Sequence, residues 1–211
     1  MMGDLKAPPF SAEDFRLRVA IDRGPHEDFD YGDHRFNPGH PRVTGVRQLR
    51  DAAVLIPVVD HGPEASVILT KRADRLTSHS GQVAFPGGRI DPTDVSPEAA
   101  ALREAEEEIG LDPYHVEIIG RMPDYVSGSG YRIAPVLSIV RPGFTLSINE
   151  HEVDAAFEVP LRFLMDPANH AQNSREFDSR VWVYYDMPYG DQRIWGVTAG
   201  IIRTLYERLY L

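Results

Sequence analysis

Apolar and polar positions alternate along this chain with two different periods. Ala53 to Val59 is an unbroken apolar run with several β-branched residues, which predicts a buried strand, and Ala65 to Leu69 predicts a second after the turn His61-Gly62-Pro63. Similar runs predict strands at Val116 to Gly120, Ile133 to Val140 and Val181 to Tyr185. The helical period governs Pro97 to Ile109. Ser96 suits its N-cap, Pro97 its first turn and Gly110 its C-terminal stop. Thr198 to Leu211 predicts a closing helix. Near the N-terminus Ser11 and Asp14 have capping-box spacing, ahead of Phe15, Leu17, Val19 and Ala20. Pro25 to Pro41 is rich in Asp, Gly, His and Pro and reads as a linker or loop, and Gly81 to Pro97 as a structured loop. Without an internal repeat, this order predicts an α/β or α+β sandwich.

Composition narrows the function classes. A chain of 211 residues suits one domain, here divided into an N-terminal extension of helix plus linker, 1–48, and a main domain, 49–211. The absence of cysteine excludes disulfides, thiolate metal sites and a cysteine nucleophile. Net charge is −10, from 32 acidic and 22 basic side chains, which repels a phosphate backbone and argues against a nucleic-acid partner. An anionic small substrate stays compatible where a bound cation reverses the local field. The longest apolar stretch, Ala52 to Val59, is too short to span a bilayer, and Met-Met-Gly-Asp opens no secretory signal. The expectation is a cytoplasmic protein without membrane association, with a homodimer left open. His26, His34 and His40 are expected to be exposed loop residues, because no ligand spacing recurs.

The chemistry concentrates in Arg103-Glu104-Ala105-Glu106-Glu107-Glu108-Ile109-Gly110-Leu111. At roughly 100° per residue, Glu104, Glu107 and Glu108 share one arc of a helix, while Leu102, Ala105 and Ile109 share another that can pack on a sheet. Alone, such a face is an ordinary solvated surface. Phe85-Pro86-Gly87-Gly88 changes that reading. Paired glycines admit close backbone approach, a Gly88 carbonyl can join a metal shell, and hard divalent cations such as Mg2+ or Mn2+ favour carboxylate oxygen.

These residues resemble the signature of the Nudix hydrolase family, Gly-x5-Glu-x7-Arg-Glu-U-x-Glu-Glu-x-Gly-U with U apolar. Gly88 is followed after five residues by Asp94 in place of Glu, and eight residues, one more than usual, separate Asp94 from Arg103. The second half fits at every fixed position. The stretch Ile68-Leu69-Thr70-Lys71-Arg72-Ala73 with Gly81 and Phe85 to Gly88 looks like the coenzyme A pyrophosphatase subgroup, which also carries the longer spacing; Thr77 stands where that pattern usually has Arg. The likeness runs from Leu49 to Leu164, with an echo at Ile194-Trp195-Gly196.

The resemblance implies an α/β/α sandwich with a mixed sheet that hydrolyses a nucleotide diphosphate. The leading substrate is coenzyme A or an acyl-coenzyme A, giving 3′,5′-ADP and a 4′-phosphopantetheine species. The alternatives are ADP-ribose, a dinucleotide or a modified nucleoside triphosphate, or a non-catalytic nucleotide-sensing role. It implies metal binding by Glu104, Glu107 and Glu108, with Gly88 beside them, Glu104 orienting or deprotonating water, and Arg103 orienting the cluster. Glu152 is a candidate distal base or a solvated loop carboxylate. His79 touches substrate or caps its loop, and Lys71 and Arg72 meet phosphate or are solvated. Tyr131, after Ser127-Gly128-Ser129-Gly130, offers a stacking face in a mobile loop or closes a plain turn.

Overall fold

The computed structural model describes residues 7–22, 31–44, 48–75, 80–177 and 179–211. Its helices are α1 (Ala12–Ile21), α2 (Pro41–Thr44), α3 (Pro97–Ile109), α4 (Leu161–Leu164) and α5 (Val197–Leu209). Its strands are β1 (Tyr31–Gly32), β2 (Arg50–Asp60), β3 (Ala65–Arg72), β4 (Val83–Ala84), β5 (Gly87–Arg89), β6 (Val116–Arg121), β7 (Tyr125–Val126), β8 (Tyr131–Val140), β9 (Val153–Pro160), β10 (Ala171–Phe177), β11 (Arg180–Tyr189) and β12 (Gln192–Trp195). Among the described residues no helix is long and apolar enough to cross a membrane.

The two longest apolar strands pair in parallel, β2 with β8 from Arg50↔Tyr131 to Val59↔Val140. Both are buried from either side, as strands inside a layered fold must be. The order β1-β7-β8-β2-β3-β4 extends outward from that pair, with β6 also on β8, β9 on β3 and β5 on β2. Among the described residues only β1·β7 and β2·β8 are parallel, so the sheet is mixed. Alternation divides its side chains into two cores. Ile56, Val58, Leu69 and Leu137 face a layer containing Phe15 of α1 and Ile202 and Leu205 of α5. Leu55, Val59, Ile68 and Val136 face Ala101, Ala105 and Ile109 of α3. The architecture is α/β, with helices on both faces of a mixed sheet.

Seven strands, β1, β4, β5, β7, β9, β10 and β12, have no counterpart among the predicted elements. Most are two to four residues long, below the length at which period-two alternation is visible. Tyr31 to Asn37, within the stretch expected to be linker, is built into the body. β1 pairs with β7, and the buried Asp33 carboxylate accepts from Tyr125 Oη and from Gly128 N, both at 2.7 Å. His40 is a correction: it is 4% exposed and packs edge-on against Trp182 at 5.0 Å, because its loop folds under β11. His26 lies outside the described residues. At α1, Ser11 Oγ caps Asp14 N at 3.1 Å, and the short Asp14 side chain reaches Phe10 N instead of the N-cap amide.

Gly200 fixes how closely α5 approaches the sheet. A Cβ there would strike Tyr125 Oη and lie 2.8 Å from Tyr125 Cζ. Gly200→Ala is therefore expected to lower stability by about 1–3 kcal/mol, although Ala normally gains roughly 1 kcal/mol over Gly inside a helix. Urea denaturation measures the difference, and a stabilised variant would show that Tyr125 does not set this spacing.

Candidate active site

The centre is assembled from the loop preceding β5, the acidic face of α3 and the segment after Ser147. β5 lies antiparallel on β2, with Val54↔Gly87 and Ala53↔Gly88. Gly87 has φ 155°, and a Cβ would run into Ala53 O and lie 2.7 Å from Val54 Cα. At Gly88 the obstacle is different, since a Cβ would fall 2.5–2.6 Å from the Glu104 carboxylate atoms. The first glycine lets the loop meet β2; the second lets Glu104 lie against the loop.

Local sequence also sets the ends of α3. Ser96 Oγ accepts from Ala99 N at 3.2 Å, and Gly110, at φ 65°, donates to Glu106 O at 2.9 Å. Two carbonyls of the last turn are capped by amides of the 147–149 segment: Ser147 N donates to Ile109 O at 2.8 Å and Asn149 N to Glu108 O at 2.9 Å. Asn149 Nδ2 also donates to Glu152 Oε1 at 3.0 Å. The helix terminus thereby carries Glu152 to the cluster.

Helical geometry grades the burial of the glutamates. Glu108 sits roughly 60° from the apolar position Ala105, whereas Glu107 sits roughly 160° from it. The side chains are accordingly 3% exposed at Glu108, 15% at Glu104 and 54% at Glu107. Glu108 Oε2 accepts from Gly87 N at 3.2 Å, and Oε1 lies 3.7 Å from Arg72 Nη1. Burial pushes the Glu108 carboxyl up to about 7, against the pull of Gly87 and Arg72, with Glu104 and Glu152 raising it further. Burial likewise raises Glu104, opposed by Arg103 and reinforced by Glu107 and Glu152.

Arg103 ties these parts together. Its Nε and Nη2 grip both oxygens of Asp94 at 3.0 and 2.9 Å, and Nη2 also meets Arg89 O at 3.2 Å. Its Nη1 donates to Glu104 Oε1 and Glu107 Oε2, each at 3.0 Å. Ahead of that longer spacing the chain makes a tight turn, where Asp94 N donates to Asp91 O at 3.0 Å and Asp91 N to Asp94 Oδ2 at 2.8 Å. That turn folds the shorter Asp close enough for the bidentate contact. In the sequence Asp94 stands out only as a departure from a pattern, with no role attached to it. The position of an acid ahead of an Arg-Glu pair was the available signal. For Asn149 there was none.

The structure brings Gly88, Arg103, Glu104, Glu107 and Glu108 together, with Arg72 beside Glu108 and Glu152 near enough to raise both buried carboxyls. It does not bring Lys71 to them; the ammonium instead faces Asp74 at 4.0 Å. Tyr131 starts β8 with the Arg50 guanidinium 3.9 Å from its ring centroid. The loop before it is a hydrogen-bonded turn, Ser127 N donating to Tyr131 O at 2.9 Å and Gly130 N to Ser127 O at 3.0 Å. His79 and Thr77 lie outside the described residues.

Among the described residues, no three acidic or imidazole side chains stand close enough to enclose a metal ion as they are. Arg103 holds Glu107 and one oxygen of Glu104 to itself. The donor chemistry nevertheless fits a hard divalent cation. The groups are oxygen donors on one helix face and one adjoining loop, and burial makes two of them resist ionising despite Arg103 and Arg72 beside them.

A protein-family model described as the NUDIX domain matches residues 49–201. A protein of Escherichia coli named Uncharacterized Nudix hydrolase NudL is 46% identical over 159 residues, covering 74% of this chain and 81% of that protein. A protein of the same name from Shigella boydii shows the same identity and coverage. Among solved structures, a NUDIX hydrolase from Alicyclobacillus acidocaldarius is 18% identical with a TM-score of 0.47, over 76% of this chain and 92% of that one.

Glu108 has a consequence for stability without metal. Its folded pKa, about 7, lies above the ordinary 4.5, so the folded state holds the extra proton between those values. The penalty of ionising it is absent below about pH 4.5, grows as pH rises and is complete above about pH 7. Glu108→Gln, which keeps an acceptor for Gly87 N, is expected to stabilise the protein in chelator by about 1–3 kcal/mol at pH 8 and negligibly at pH 4.5. Denaturant titrations at the two pH values test this; destabilisation at pH 8 would contradict it.

Proposed function

The chain belongs to the Nudix hydrolase family, whose members cleave pyrophosphate bonds, and we propose that its own substrate is coenzyme A or an acyl-coenzyme A. One observation carries the hydrolytic reading: a single arginine joins the Asp94 turn, the Arg89 carbonyl and two glutamates of α3, with a third glutamate buried beneath Gly87. A sensing module needs no such concentration of unneutralised carboxylate. The substrate assignment rests on the likeness of Ile68 to Gly88 and on the longer spacing between Asp94 and Arg103.

Glu104, Glu107 and Glu108, with the Gly88 carbonyl, are the groups that would hold Mg2+ or Mn2+. A bound divalent ion would supply charge neutralisation of the diphosphate and a lowered pKa for water. In the reaction a water oxygen bonds to one phosphorus, the anhydride P–O bond breaks, and the leaving phosphate keeps the electron pair. For coenzyme A the products are 3′,5′-ADP and 4′-phosphopantetheine. Arg103 holds Glu104 and Glu107 in place, while the Gly87 amide and Arg72 hold Glu108. The proton released by water passes to a carboxylate at the rim. Glu152 is the candidate, oriented by Asn149, with Glu104 as the other acceptor in reach of the cluster.

Turnover is expected to vanish in excess chelator and return with Mg2+ or Mn2+. Glu107→Gln and Glu108→Gln should each lower kcat by about 10²-fold or more with the fold intact by circular dichroism. Glu152→Gln should lower kcat while leaving the metal concentration for half-maximal activity unchanged. Full turnover in chelator would reject the mechanism.

Across a substrate panel read by mass spectrometry, kcat/KM is expected to be higher for coenzyme A than for ADP-ribose, dinucleotides or nucleoside triphosphates. Faster cleavage of ADP-ribose would reject the substrate while leaving pyrophosphate hydrolysis in place. No turnover of any diphosphate, with binding retained, would favour a sensor.

A further inference from the structure

Away from the carboxylate cluster, the β10–β11–β12 sheet carries a second concentration of chemistry. Side chains alternate between faces along each strand. Tyr185 and Met187 of β11 and Ile194 of β12 enter the core beside α5. The opposite face therefore carries Tyr184, together with Trp195 and Arg193, which pair in register with Asp186 and Pro188. On β10, Asn173 lies opposite Tyr184 and Arg175 opposite Trp182, which places Arg175 on the same face.

These side chains form a connected array. The Tyr184 and Trp195 rings are 5.5 Å apart at 64°. Arg175 reaches across β11 to within 5.0 Å of the Trp195 ring centroid, and Arg193 lies 5.4 Å from that ring and 6.0 Å from Tyr184. Bracing the sheet would require one arginine, and Arg193 already provides it through a 2.6 Å pair with the buried Asp186. Asp186 is satisfied further by Asn173 at 2.9 Å. Arg175 is exposed and makes no ion pair with a described residue. In a chain of net charge −10 this face is locally positive. Arg193 commits its Nε and Nη2 to Asp186 and Tyr184, whereas the Arg175 guanidinium beside the Trp195 ring keeps an N–H edge that matches the oxygens of a phosphate.

The array also adjoins the catalytic loop. β12 lies against β4, and Thr198, just beyond it, donates to Val83 O at 3.0 Å. β4 leads through Phe85 and Pro86 to Gly87 and Gly88.

We propose that Arg175, held beside the Trp195 ring next to the Asp186-paired Arg193, binds the phosphorylated nucleoside half of the substrate through a phosphate remote from the scissile linkage. This deepens the reading of the protein as a hydrolase of a nucleotide diphosphate and rests on it. The neutral, amide-bearing half of such a substrate has no charge for these arginines to meet.

The test is calorimetric binding of adenosine 3′,5′-bisphosphate and 5′-AMP to the full chain in chelator, where no turnover occurs. The wild type should bind the bisphosphate about 10-fold or more tightly than 5′-AMP, with affinity falling as salt rises. Arg175→Gln should abolish that preference, and Arg175→Lys should restore only part of it, because an ammonium lacks the planar fork. With coenzyme A, the Arg175→Gln defect should fall on KM more than on kcat. Arg175 is the chosen position because truncating Arg193 would strand the buried Asp186. Equal bisphosphate affinity in the wild type and a folded Arg175→Gln overturns the proposal. So does a change in oligomeric state with unaltered affinity, which would make this face a self-contact. If the bisphosphate preference is present and lost in Arg175→Gln but no diphosphate is cleaved, the hydrolase reading fails and the subsite stands.

Discussion

The bidentate contact between Arg103 and Asp94 is the interaction on which the functional end of this protein depends. It closes the turn after β5 onto the side of α3 and fixes the guanidinium plane. The remaining N–H groups can then hold Glu104 and Glu107. Without a fixed cation, three carboxylates on neighbouring turns would repel one another and splay. A lysine would not substitute, since one ammonium cannot grip a carboxylate in two places while reaching two others and a backbone carbonyl.

Around that contact the structure spends stability on electrostatics. Glu108 is buried against Gly87 with Arg72 at only 3.7 Å, so its charge is incompletely matched. Glu104 and Glu152 add negative potential. Such an arrangement is unfavourable for folding and favourable for capturing a cation, the balance expected where function overrides local stability. Elsewhere buried charge is better satisfied. Asp33 is also buried, but Tyr125 and Gly128 both donate to it at 2.7 Å, and it anchors β1 and β7.

Charge is sorted between two regions. The α3 face collects carboxylate, whereas the outer face of the β10–β11–β12 sheet collects arginine on aromatic rings. The chain's net charge of −10 predicts neither location. The β4 segment, sharing Val83 O with α5 and leading into Gly87, links the two, so one short stretch of backbone registers both against the sheet.

The amino-acid sequence alone determined the strongly periodic elements: the strands β2 and β8 though not their parallel pairing, the closing helix α5, and α3 from its Ser96 cap to its Gly110 stop. It also determined which residues crowd together on α3, because helix geometry converts spacing directly into angle. What tertiary structure decided was everything set by contacts distant in sequence. Two-residue strands such as β1, β4 and β7 exist only because a neighbouring strand supplies their hydrogen bonds, so no local pattern announces them. Lys71 and Arg72 are adjacent in sequence, yet only Arg72 approaches Glu108, because successive side chains of a strand point to opposite faces. Glu152 joins the cluster only because amides from 147–149 cap the carbonyls that end α3. Arg175 meets Trp195 only because β11 separates their strands by the reach of one arginine. Local periodicity is written in neighbouring residues, whereas electrostatic partnership depends on distances that only the packed chain creates.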